Sequence, residues 1–77
     1  MNKTKIDNKY KTMFSDYPDV VNVAQLMKML GISRHLAYEL INEKKIKAFH
    51  LANSYKIPKV NVIEYIIISQ EDLEQTL

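Results

Sequence analysis

The stretch that decides the fold is Asn22-Val23-Ala24-Gln25-Leu26-Met27-Lys28-Met29-Leu30-Gly31-Ile32-Ser33-Arg34-His35-Leu36-Ala37-Tyr38-Glu39-Leu40-Ile41-Asn42. Asn22 is a good N-cap, and Val23, Leu26, Met27 and Leu30 recur on one side of a helix behind it. Gly31 ends that helix, because glycine takes the left-handed backbone that follows a helix C-terminus. Ser33 is the cap of a second helix, expected over roughly residues 34–43. At 100° per residue, Arg34, His35, Tyr38, Glu39 and Asn42 fall within one arc of about 140°, and Leu36, Ala37, Leu40 and Ile41 occupy the opposite arc. One face is for the core and one is presented. Two amphipathic helices joined by the three residues Gly31-Ile32-Ser33 have the helix-turn-helix signature, with Ile32 plugging the angle between them.

Working outward, the segment from Ile46 to Pro58 changes period. Phe49, Leu51, Tyr55 and Ile57 sit at odd positions, and Lys47, Ala48, His50, Ser54 and Lys56 fall mostly between them. This period-2 character on both sides of Ala52-Asn53-Ser54 predicts a β-hairpin with its tip there. Asn53 is the residue best suited to a positive φ in the turn. Pro58 suits the first turn of a third helix, in which Val60, Ile63, Ile66 and Ile67 form a stripe through about Ser69. On the other side, Tyr17-Pro18-Asp19 reads as a turn leading into the first helix. The expected order is α-turn-α-β-β-α: mainly α with a small β-hairpin, a winged helix-turn-helix. Residues 1–16 read as a flexible basic arm, 17–69 as the domain, and 70–77 as an acidic tail, either more helix or frayed chain.

Composition narrows the function. The chain has 77 residues, no cysteine and one glycine. A domain this small buries only about 60% of its unfolded surface, so its core is marginal and no disulfide staples it. No apolar run reaches the roughly 20 residues of a membrane span, and the lysine-rich start lacks the apolar stretch of a signal peptide, so a cytoplasmic location is expected. Two histidines, no glycine-rich phosphate loop and no nucleophile–base pair argue against an enzyme. His35 and Glu39 lie one turn apart, but two groups do not make a metal site, so neither metal nor cofactor is expected. The net charge of +2 is unevenly spread: residues 1–16 carry +2, residues 17–56 carry +3, and residues 57–77 carry −3. A basic front with an acidic rear points to an anionic partner for the front.

Several segments together resemble the excisionase family of small winged-helix proteins, relatives of the MerR-type regulators. They are Val21 to Arg34, Ala37-Tyr38, Leu40-Ile41, Ile46-Lys47-Ala48-Phe49-His50-Leu51 and Tyr55-Lys56-Ile57-Pro58, and the resemblance covers roughly residues 17–68, about two-thirds of the chain. The resemblance implies double-stranded DNA as partner, with the second helix in the major groove and the hairpin wing against a neighbouring groove or the backbone. Family members of this size bend attachment-site DNA and direct a tyrosine recombinase toward excision of a mobile element, or act as transcriptional regulators. The sequence departs from the family pattern at several positions. Met27 stands where a small residue is usual, and Leu36 where a polar one is. Glu39 and Asn42 occupy positions that are commonly basic. Lys44 replaces the glycine that ends the second helix, at about 1 kcal/mol if the backbone there is left-handed. Ala52 replaces the wing glycine.

On this reading the DNA-binding residues are Ser33, Arg34, His35, Tyr38, Lys45, Lys47, Asn53, Ser54 and Lys56. Arg34, in the first turn, can grip a phosphate or pair with guanine. Ser33 caps the helix and can also touch phosphate. Tyr38 lies one turn on from Arg34, and an exposed tyrosine in mid-face asks to be covered. Glu39 either accepts from a cytosine amine or holds Arg34 or Lys45. Lys56 projects beside the wing tip while Tyr55, alternating with it, packs on the core. Lys44, Lys45 and Lys47 form a basic run behind the presenting helix. Phosphate contacts position the protein, so only the Arg34, His35 and Tyr38 face can read bases. The acidic tail and the Ile66-Ile67-Ile68 run are the candidate surface for a recombinase, or for another protein if the chain is an interaction adaptor. A monomer is expected in solution, with cooperative filling of repeated DNA sites.

Overall fold

The computed structural model describes residues 12–76, with side-chain surroundings given for residues 12–70. The part of the basic arm before residue 12 lies outside the described residues. The elements are β1 (Val20–Val21), α1 (Val23–Leu30), α2 (Arg34–Asn42), β2 (Phe49–Leu51), β3 (Ser54–Pro58) and α3 (Lys59–Thr76). Among the described residues this is a winged helix-turn-helix of three helices and a small antiparallel sheet.

Local chemistry sets the helix limits. The Asn22 side chain accepts from the Gln25 N–H at 2.8 Å, and the Gln25 side chain accepts from the Asn22 N–H at 2.9 Å. That is a complete capping box. Gly31, at φ 64°, closes α1, and Ile32 N–H donates to the Met27 carbonyl at 3.0 Å. Ser33 Oγ accepts from Leu36 N–H at 3.2 Å and starts α2. At its other end, Lys44 N–H donates to Ile41 O and Lys45 N–H to Leu40 O. This is a Schellman closure, and Lys44 takes its left-handed position at φ 63°.

The core gathers Val21, Leu26, Ala37, Leu40, Ile41, Ile46, Ile57 and Val62, all buried, with Ile32 packed against them. On α2 the buried residues Ala37, Leu40 and Ile41 centre the inward stripe. Leu36, expected on the core face, is 39% exposed. It lies about 100° round the helix from the middle of that stripe, at 100° per residue, and is turned out.

The sheet has order β1-β3-β2. The two-residue β1 adds a strand that periodicity does not predict, pairing Val20 with Pro58 and Val21 with Ile57. The wing pairs Phe49 with Lys56, His50 with Tyr55, and Leu51 with Ser54. Its turn is therefore the two residues Ala52 and Asn53, both at positive φ (52° and 67°). This is the turn geometry that suits the twist of a hairpin, and Ser54 belongs to the strand. An even turn length shifts parity between the strands. Odd positions on β2 share a face with even positions on β3, so Phe49 and Leu51 do not join Tyr55 and Ile57. They lie outward with Lys56, at 49% and 58% exposure.

Pro58 is the last residue of β3 and α3 starts one residue later. The inward residues of α3 are Lys59, Val62, Ile63 and Ile67, with Val60 and Ile66 half-buried. Of the run at 66–68, only Ile68 is exposed. The helix continues to Thr76, into the acidic tail. Lys59 is 5% exposed. Its ammonium donates to the carbonyls of Phe14 (3.3 Å) and Tyr17 (3.0 Å), and its N–H donates to Asp19 O at 2.7 Å. A lysine at the head of α3 thus fastens residues 14–19 to the domain, with the Phe14 and Tyr17 rings packed against the core and meeting edge to face at 5.9 Å.

Candidate nucleic-acid interface

The Ser33 cap points the first turn of α2 out of the core, so Arg34 and His35 begin the exposed face. Arg34 lines an open cleft of about 300 Å³ with Tyr38, with His50, Asn53, Ser54 and Tyr55 of the wing, and with Asn22, Val23 and Ala24 at the start of α1. The presenting helix, the wing tip and the head of α1 therefore share one concavity. Sequence reasoning found Arg34, Tyr38, Asn53 and Ser54 but not the contribution of residues 22–24. Asn22 had been legible only as a cap.

An aromatic chain joins helix to wing. The rings of Tyr38 and Tyr55 meet edge to face at 5.8 Å, and His50 lies against Tyr55 at 4.9 Å. Such pairs contribute about 0.5–1.5 kcal/mol beyond area burial. Tyr38, read as a mid-face residue in need of a cover, is partly covered by the wing itself. The wing cannot swing without breaking this chain, which fixes the spacing between the two elements.

Further along α2, His35, Tyr38, Glu39, Asn42 and Glu43 surround a shallow hollow. His35 Nε2 lies 3.6 Å from Glu39 Oε2, with the histidine side chain 91% exposed. Glu39 thus takes His35 as its neighbour, rather than Arg34 or Lys45. Lys45 instead stands 3.5 Å from Glu43, an exposed pair of small energetic weight.

Lys45, Lys47 and Lys56 do not line the Arg34 cleft, although Lys44 and Lys47 border a hollow that reaches Tyr55 at its side. Lys44, Lys45 and Lys47 line a groove of about 170 Å³ with Asn61, Glu64, Tyr65 and Ile68 of α3. Asn61 Nδ2 donates to the Lys47 carbonyl at 3.0 Å and pins this loop to α3. Lys56 lies on the outer face of the sheet, opposite Phe49, whereas the cleft takes the His50–Tyr55 face. Among the described residues no cluster of His, Cys, Asp or Glu could hold a metal ion, and no helix is long and apolar enough to cross a membrane.

The arrangement has the parts a duplex reader needs: an exposed helix face led by an arginine, and a rigidly spaced wing whose tip carries small polar groups. No curated protein and no solved structure matches the chain at a significant level. The family described as a helix-turn-helix domain matches residues 20–75, from the first strand almost to the end of α3. That match covers well over half of the chain, and the protein belongs to the helix-turn-helix domain family, a DNA-binding family.

Proposed function

We propose that this protein recognises a specific double-stranded DNA site, and that it does so as an excisionase, bending attachment-site DNA to direct a tyrosine recombinase. One observation carries the DNA-reading geometry: Arg34 and Tyr38 of α2 share a single cleft with Asn53 and Ser54 of the wing. A helix in the major groove with the wing at a fixed distance reaches two places on the duplex at once. In this reading Arg34, His35 and Tyr38 face base edges. Ser33, Asn53 and Ser54 position the backbone, and Lys45, Lys47 and Lys56 meet phosphates from the flanks. Glu39 and Asn42 make the helix face only mildly basic, so affinity leans on the flanking lysines.

The excisionase role rests on the resemblance, which covers roughly residues 17–68. Its rival is a transcriptional regulator of a mobile element built on the same fold, since function resides in the site rather than the fold. Selection of bound duplexes from a random pool tests the DNA reading. A bound consensus is expected, and equal affinity for all duplexes at every salt concentration overturns it. Bending of the selected duplex, measured by energy transfer between its ends, then separates the roles. Bending with stimulation of excision by a tyrosine recombinase supports the excisionase. Unbent DNA with promoter repression supports the regulator.

A further inference from the structure

The outer edge of the wing is unused by the cleft. Among the described residues, the sheet order β1-β3-β2 leaves β2 at an edge. Edge strands of soluble proteins are usually protected by lysine, proline, a bulge or a covering element. β2 reads Phe49-His50-Leu51 and carries no such charge, and both of its apolar side chains stand outward at 49% and 58% exposure. Its backbone is also set for pairing. A two-residue turn closes with its flanking residues, Leu51 and Ser54, as a hydrogen-bonded pair, so the next pair, His50 and Tyr55, is the non-hydrogen-bonded one. The N–H and C=O of His50 therefore point to the free edge.

This edge is complementary to itself. If a second copy approaches antiparallel with a two-fold axis at His50, the two His50 residues exchange both backbone hydrogen bonds. Phe49 of each copy then lies opposite Leu51 of the other, on the same outer face. The contact is isologous and closed, so it makes a pair and not a filament. We propose that β2 is a self-association edge through which two copies join their sheets into one of six strands. Three residues per copy bury far less than the roughly 800 Å² per partner of a stable dimer. Pairing is therefore weak in free solution and is populated when two copies sit on neighbouring sites, where the effective concentration is on the order of millimolar. The two-fold axis requires those sites to be inverted.

The test uses the full chain without DNA, so its outcome is independent of the DNA reading. Sedimentation equilibrium from about 10 μM to about 1 mM is expected to show a monomer–dimer equilibrium at the upper end. Leu51→Lys, which sets an ammonium opposite Phe49, is expected to stay monomeric throughout while keeping its circular dichroism. Phe49→Lys serves if that variant does not fold. The chain has no cysteine of its own. Under mild oxidation His50→Cys is expected to form a disulfide dimer at least about tenfold faster than Val20→Cys on β1, because the paired Cα atoms would stand about 5.5 Å apart. A wild-type chain that is monomeric at 1 mM overturns the proposal. So does equal cross-linking of the two cysteine variants, or a dimer that survives Leu51→Lys, which would place the contact elsewhere.

Discussion

The Tyr38 ring stands edge to face against Tyr55 at 5.8 Å, and this contact ties the presenting helix to the wing. It joins residues 17 positions apart in sequence and holds at one spacing the two elements proposed to meet DNA. The pair should be measurably coupled. A double-mutant cycle with Tyr38→Ala and Tyr55→Ala, followed by urea denaturation, is expected to give a coupling energy of about 1 kcal/mol. Additive effects would mean that the wing is held some other way.

Left-handed backbone at non-glycine residues gives predictions of the opposite sign. Lys44 and Ala52 sit at φ 63° and 52°. Lys44→Gly and Ala52→Gly are each expected to stabilise the fold by roughly 0.5–1 kcal/mol, because the strain of the side chain at positive φ is removed. At Gly31 the space is open, with nothing within 4 Å of an added Cβ. Gly31→Ala is therefore expected to destabilise by only about 1 kcal/mol, from backbone strain alone. Chemical denaturation reads all three.

The caps are local and separable. Asn22→Ala removes the acceptor for the Gln25 N–H and Ser33→Ala that for the Leu36 N–H. Each should lower stability by about 1 kcal/mol. The two should add, since they serve different helices.

Lys59 is a structural cation. Lys59→Met keeps much of the side-chain volume and removes the ammonium that donates to Phe14 O and Tyr17 O. A loss of about 2–3 kcal/mol is expected, together with faster amide exchange across residues 14–20. Unchanged exchange there would show that this segment is held without the lysine.

Arg34 is the test of the DNA face. Arg34→Ala is expected to weaken binding to a selected site. If the guanidinium grips phosphate, the slope of log affinity against log salt should become shallower by about 1. An unchanged slope with a relaxed consensus would instead assign Arg34 to a base.

The sequence by itself determined what depends on near neighbours along the chain. The caps at Asn22 and Ser33, the stop at Gly31, the left-handed risk at Lys44 and the existence of the hairpin all follow from interactions three to five residues long. The same is true of the amphipathic division of α2, apart from Leu36 at its margin. Only the tertiary structure decided what depends on how elements meet. One residue more or less in the wing turn changes which strand positions share a face. That choice turned Phe49 and Leu51 outward and joined His50 to Tyr55 in the cleft. The burial of Lys59 and the short strand at Val20 and Val21 exist only because residues 14–21 return alongside β3 and the head of α3, and no local pattern encodes that return. The head of α1 became part of the Arg34 cleft for the same reason: concavity is made by three elements together.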